Sequence, residues 1–530
     1  MKIRSFPALI ASGILLATAT LALSGCGVVV LYKTPEYGYA GRPVPPSKML
    51  ERVLAAYSAT GGPNGSGGLE ILDGLRDLRG NVQNTTKFYS ISGYSEAEPF
   101  TILNFPEQTT GYVLSYNDGN LYSINYSKET AGSAVANFGS QAASAAASPL
   151  GLAFAGAAQQ AGELVFSTGG STYDLNLPGV NKVVIDPGYS VVLAMVQNSN
   201  TLYRIVKLPA TANPVLPPGY VDCEPLLLPQ YCVVPVDGTY DRPVNVNFSL
   251  DGTTAYVLNS GPENGGTTAS VSFLNMAPLN INVVPEQGVT PAPAMATLPN
   301  GVANPVAVPG GVTASVADGT YLYLAGQQLQ TTGTYKGLFA GNLTTINLNT
   351  YAVSSPVSIS DGTHTKLLFA DSNTLWIASS SCANGVRAAT AAAELASRGY
   401  TDQAGNYNCL TMATTGTSTP PATIIPAVVQ SNVSSVTPVV VPYVNTDQNQ
   451  YYYGSATGLC WVQNYYKVFT AYGGQIHAFY TGINPTQTAE TQQEDENGGT
   501  AGSEIDNINM TVQGTVFDVA YMDAETNSAN

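Results

Sequence analysis

Charge is scarce in this chain. Lys, Arg, Asp and Glu make up only 10% of its 530 residues, and 35 acidic residues outnumber 19 basic ones. A net charge of −16 leaves no basic stripe to neutralise phosphates, which excludes nucleic acid as a partner and electrostatic adhesion to anionic lipid. Histidine is nearly missing, with only His364 and His477 present, and no Cys-x-x-Cys occurs. The residue types that hold a metal are therefore too few and too scattered, and neither a metal nor a cofactor is expected. No Gly-x-Ser-x-Gly carries a nucleophile, and neither histidine stands in a nucleophile motif. His364 falls in the turn-like Asp361-Gly362-Thr363-His364, and His477 in an alternating run where it faces one side of a strand or the other.

What is plentiful is Tyr (32), Gly (53) and Pro (34), a composition that suits short strands joined by turns. The front of the chain is different. Lys2 and Arg4 precede an uncharged apolar run from Pro7 to Leu23, the anatomy of a secretory signal. The run closes on Leu23-Ser24-Gly25-Cys26, which resembles the lipobox of bacterial lipoproteins. The resemblance implies cleavage between Gly25 and Cys26 and a lipid on the Cys26 thiol. The expected partner is then the membrane, reached through that lipid, and the expected location is the bacterial cell envelope. Gly27 follows the cysteine, which resembles the pattern sorted to the outer membrane.

Export permits disulfides. Cys223 and Cys232 are close neighbours, and Cys382 and Cys409 flank a longer loop, so two bridges are expected, with Cys460 left over and buried beside Trp461. Five segments follow from the pattern: a signal at 1–25, a Pro-rich tether at 26–46, a short helical segment at 47–88, a strand-rich body at 89–526 and a tail at 527–530. The helical expectation rests on Ser47 as a cap and on two stripes. The first is Met49, Leu50, Val53, Leu54 and Tyr57; the second is Leu69, Leu72, Leu75 and Leu78.

From Tyr89 onward the period is two. Gly111 to Tyr116 alternates, turns through Asn117-Asp118-Gly119-Asn120, and resumes as Leu121 to Ile124. Asp-Gly between alternating runs marks a hairpin, because tight turns need positive φ. Similar units recur near residues 183–206, 244–259, 317–324, 369–378, 467–480 and 510–521. Their spacing exceeds the ~40 to 50 residues of a propeller blade, which places the excess in loops. The candidate loops are residues 131–160, 278–309, 387–398, 412–441 and 486–503.

One unit, Asp251-Gly252-Thr253-Thr254-Ala255-Tyr256-Val257-Leu258-Asn259, resembles the YVTN-type β-propeller repeat, with Leu258 where that family has Thr. The resemblance implies a ring of four-stranded antiparallel sheets around a channel. The expected fold is thus all-β, a propeller of about seven blades with long inter-strand loops; tandem β-sandwiches are the alternative. Such propellers serve as enzymes, scaffolds and adhesive modules alike. A lactonase-like enzyme would want histidines and carboxylates converging on the channel, and a quinone-dependent dehydrogenase subunit would want Trp-rich repeats. With two Trp and two His, the chain reads better as a non-enzymatic binding or scaffolding module. Tyr451, Tyr452 and Tyr453, with Tyr465 and Tyr466, form a candidate surface for an envelope protein or carbohydrate. Strand filling is the competing role for these tyrosines.

Overall fold

Alternating runs separated by Asp-Gly and Asn-rich turns fold back on themselves as antiparallel meanders, and eight such meanders stand in a ring. The structure is a computed structural model that describes residues 45–49, 51–58, 67–74, 89–94, 98–139, 141–158, 163–210, 214–225, 230–290, 292–370, 374–382, 385–386, 389–390, 393, 409–414, 455–462, 465–472, 474–482, 501–502 and 514–523. The signal, Gly25 and Cys26 lie outside these residues, as do Tyr451, Tyr452 and Tyr453.

Two strands open the chain, β1 (Arg52–Ser58) and β2 (Gly67–Asp73), and they pair with each other. Blade 2 holds β3 (Pro99–Phe105), β4 (Thr110–Ser115), β5 (Asn120–Asn125) and β6 (Thr130–Asn137). Blade 3 holds β7 (Ser144–Ala147), β8 (Ala153–Ala158), β9 (Glu163–Thr168) and β10 (Ser171–Leu175). Blade 4 has five strands: β11 (Val180–Ile185), β12 (Val192–Val196), β13 (Leu202–Lys207), β14 (Asp222–Glu224) and β15 (Tyr231–Val236). Blade 5 is β16 (Pro243–Phe248), β17 (Thr254–Asn259), β18 (Ser270–Asn275) and β19 (Val306–Ala307). Blade 6 is β20 (Ala314–Ala317), β21 (Tyr321–Leu329), β22 (Phe339–Asn347) and β23 (Val357–Ser358). Blade 7 is β24 (Thr363–Ala370), β25 (Thr374–Ser380) and β26 (Leu410–Thr414), and blade 8 is β27 (Ala456–Val462), β28 (Lys467–Tyr472) and β29 (Gln475–Tyr480).

The last strand, β30 (Thr515–Tyr521), returns to pair with β1 and becomes the innermost strand of blade 1. Neighbouring innermost strands touch in the order β30, β3, β7, β11, β16, β20, β24, β27 and back to β30, which closes the ring. The chain is therefore an eight-bladed β-propeller.

The count corrects the expected seven. Of the unit near residues 510–521, residues 510–513 lie outside the described residues, and β30 completes blade 1 with β1 and β2. Blade 3 is the blade the pattern hid, because residues 131–160 read as an Ala/Ser/Gly loop and instead supply β6 to β8. Small side chains are needed there: a Cβ on Gly156 would stand 2.6 Å from Val180 Cγ1 of blade 4. The helical segment is also corrected. Val53, Leu54 and Tyr57 of its first stripe lie on β1, just after Met49, and there Val53 and Ala55 face blade 8 while Leu54 and Ala56 face blade 2. A strand buried on both faces shows a continuous apolar run, which periodicity alone does not separate from a short helix. Leu69 and Leu72 lie on β2; Leu50, Leu75 and Leu78 fall outside the described residues.

The apolar interior is divided into layers between blades. Phe154, Phe166, Val180 and Val192 fill the gap between blades 3 and 4, and Leu193, Met195, Ala255 and Val257 the gap between 4 and 5. Trp376, fully buried, packs blade 7 against Phe479 of blade 8. Both expected disulfides are present. Cys223–Cys232 staples β14 to β15 at the outer edge of blade 4, and Cys382–Cys409 ties the end of β25 to the start of β26. Cys460 is free and buried on β27, where burial pushes its thiol well above the usual range.

The turns after all the innermost strands share one face of the ring. Tyr112 of blade 2 donates from its hydroxyl to Pro149 O in the blade 3 turn, Phe105 meets the Tyr189 ring in the blade 4 turn, and Leu250 of blade 5 lies beside Gly319 of blade 6. The first described residues are on this same face. Ser47 donates from its backbone N–H (2.8 Å) and hydroxyl (2.5 Å) to the carboxylate of Glu129, in the turn between β5 and β6. Whatever precedes Pro45 therefore leaves from this face, here termed the exit face.

Inter-blade polar contacts supplement the apolar layers. Glu263, beyond β17, accepts from the backbone N–H of Gln327 (3.1 Å) and its side-chain amide Nε2 (2.9 Å), and the side-chain Oε1 of Gln327 accepts from Gly362 N–H. Burial nonetheless pushes the Glu263 carboxyl up to about 7. A raised folded-state pKa gives stability that is complete below the ordinary carboxylate range and is lost as pH rises through about 7. Urea denaturation of the wild type is therefore expected to show stability falling between pH 5 and 8.5. Glu263→Gln should flatten that slope by an amount on the order of 3 kcal/mol; an unchanged slope would contradict the assignment.

Candidate functional site

Three charged residues stand on the eight innermost strands: Lys182 on β11, Lys366 on β24 and Asp518 on β30. They come from blades 4, 7 and 1, near the middle of their strands, and so meet at mid-height in the channel. Lys366 Nζ reaches Asp518 Oδ1 at 3.3 Å, past the intervening blade 8. Blade 8 permits this through Gly458. A Cβ there would lie 2.7 Å from both Asp518 Oδ1 and Val519 N, so any side chain would enter the space of the Asp518 carboxylate.

Asp518 is held from the other side as well. Its second oxygen accepts the backbone N–H of Ile102, on β3 of blade 2, at 3.0 Å. The Asp518 side chain is 8% exposed and that of Lys366 42%. One carboxylate thus links the inner strands of blades 7, 1 and 2. Elsewhere on the channel wall, Asn247 Nδ2 donates to Ser315 O between blades 5 and 6.

Among the described residues, no carboxylate pairs with Lys182. It is half-buried, with Val184 next to it packed toward blade 5. Desolvation pushes its ammonium below the ordinary lysine value, and the positive charge of Lys366 pushes it further the same way. The two lysines therefore sense each other across the channel while Asp518 balances only one of them. The cluster is a net cationic point inside an acidic protein. Its chemistry is recognition of an oxyanion by ammonium donors.

The expected site residues are placed as follows. Tyr465 and Tyr466 occupy the turn between β27 and β28 on the exit face; Tyr465 packs against the layer between blades 8 and 1, and Tyr466 O accepts Thr481 N–H. His364 is on a strand, not in a turn: it lies near the start of β24, 2% exposed, with Nε2 2.9 Å from Ser360 O. Burial pulls its pKa down to about 4, so it is neutral at pH 7. His477 is on β29, fully buried, stacked with Phe479 and edge-on to Tyr472. Both histidines thus serve the packing of blades 7 and 8. Sequence reasoning passed over Lys182, Lys366 and Asp518. The available signal was a single charge inside an apolar strand, as in Asn181-Lys182-Val183 and Phe517-Asp518-Val519, in a chain where charge is rare.

No protein-family model and no curated protein sequence matches the chain. Among solved structures it is similar to the dihydro-heme d1 dehydrogenase NirN, at 12% identity over 92% of this chain and 78% of that one, with a TM-score of 0.46. It is also similar to a 6-phosphogluconolactonase-like protein of Bacteroides fragilis NCTC 9343, at 10% identity over 89% and 97% of the two chains and a TM-score of 0.41. A third is the Dos1 propeller, at 9% identity over 79% and 86%, TM-score 0.42. Likeness at this level concerns the ring of blades and not the chemistry in its channel.

Proposed function

We propose that the chain is a lipid-anchored cell-envelope propeller that works as a binding module, taking an oxyanion group, carboxylate or phosphate, into its channel. The observation that carries this reading is Lys182, an ammonium group beside the Lys366–Asp518 pair that has no carboxylate partner among the described residues. The reading of an anchor is supported by Leu23-Ser24-Gly25-Cys26, and Ser47, held to Glu129, lies at one face of the ring.

Titration calorimetry with citrate and inorganic phosphate tests the channel. Lys182→Met is expected to weaken binding by about tenfold or more, the worth of one charge-assisted hydrogen bond. Because desolvation and Lys366 favour loss of the Lys182 proton, binding should decline at a lower pH than an ordinary lysine would impose. Equal affinity in wild type and Lys182→Met sinks the channel reading. Separately, Cys26→Ala should move the protein out of the membrane fraction; retention there would sink the anchor.

A further inference from the structure

We infer that the exit face of the ring lies against the lipid bilayer, with Leu150 and Leu250 in contact with the acyl region; the inference rests on the anchoring proposed above. Leu150, in the turn after β7, is 90% exposed, and Leu250, in the turn after β16, is 59% exposed. These turns belong to blades 3 and 5 and border the channel mouth on one side. The loop between β18 and β19 leaves and re-enters at the same face, since Asn275 N–H donates to Ala294 O, and Ile281 N–H donates to Ser190 O in the blade 4 turn. It carries Val283, 45% exposed, and Val289, 56% exposed. Tyr465 and Tyr466 add half-buried rings in the blade 8 turn.

The opposite face differs. Its turns at residues 117–119, 198–200 and 330–338 contain no large hydrophobic residue with comparable exposure among the described residues. Val215, Tyr220 and Val221 are also exposed, but along the outer edge of blade 4 beside β15. Apolar side chains projecting from the turns of the exit face, with tyrosines beside them, suit the boundary between headgroups and acyl chains. The occupant is a bilayer because of where the chain outside the described residues departs. Pro45 to Ser47 are clamped to Glu129 on this face. A tether from Cys26 to residue 44 spans at most about 65 Å when extended, and it needs none of that length if the ring rests on the surface to which Cys26 is attached. A face that meets the membrane leaves the opposite mouth of the channel open to solvent.

The test uses the acylated full chain reconstituted in phosphatidylethanolamine/phosphatidylglycerol vesicles. Single variants Leu150→Cys, Leu250→Cys and, on the opposite face, Thr331→Cys carry a nitrobenzoxadiazole label; Cys460 is buried and Cys26 is acylated, so neither competes. Quenching by lipids brominated on the acyl chain is expected at positions 150 and 250 and not at 331. If the protein floats with the vesicles but 150 and 250 are not quenched, the ring stands off the membrane or the face meets another protein, and the inference is overturned while the anchor stands. Quenching at 331 also overturns it. If the acylated chain does not float, the anchoring reading fails and the inference falls with it.

Discussion

Replacing Arg52 with Met is expected to cost about 3–5 kcal/mol of stability, measured by the urea midpoint. Arg52 sits where the two ends of the ring meet. Its Nη2 reaches Asp523 Oδ1 at 2.7 Å, just past β30; its Nη1 reaches Glu129 Oε1 at 2.9 Å and donates to Tyr126 O at 2.6 Å. All three charged side chains are 3–6% exposed. Removing the guanidinium leaves two carboxylates in a site that water does not reach, and this loss outweighs any gain from an apolar replacement. Arg52→Lys keeps the charge but not the fork that serves three acceptors, and it should recover only part of the loss. A cost below about 1 kcal/mol for Arg52→Met would place the network at a surface-like value and contradict its burial.

Asp518→Ala is the second large effect, expected at about 2–4 kcal/mol. The reason is the Ile102 amide more than the salt bridge. Lys366 is 42% exposed and returns to solvent at little cost, whereas the Ile102 N–H is left inside the wall between blades 1 and 2 without its acceptor. The comparison that separates the two is Asp518→Asn, which keeps an oxygen for Ile102 and abolishes the ion pair. It should cost less than about 1 kcal/mol. If Asn proves as damaging as Ala, the ion pair dominates and this ordering is wrong.

Much of the fold is legible in the sequence because hairpins are local. Asp118-Gly119, Asp251-Gly252 and Asp318-Gly319 form the expected turns, with φ of 67°, 68° and 88° at the glycines. The pairing of Cys223 with Cys232 was legible for the same reason, since β14 and β15 are close in sequence and adjacent in the sheet. What was hidden depends on distant partners. Val53-Leu54-Ala55-Ala56 is a strand because blades 8 and 2 cover its two faces, and nothing within residues 47–58 announces that. Blade 3 was hidden because Ala145, Ala146 and Ala147 carry no contrast between an inner and an outer face. The site was harder still: Lys182 and Asp518 are more than three hundred positions apart, and only ring closure brings them into one channel.

That closure has a consequence for how the protein is made. Blade 1 takes β1 from the beginning of the chain and β30 from its last residues. Until synthesis passes Tyr521, β1 and β2 have no inner strand, and the apolar surfaces of Val53, Phe469 and Ile476 have nothing to close over them. The ring therefore certifies its own completeness. A chain that stopped ten residues before Asp523 would lack β30 and leave the inner edge of β1 without its partner strand.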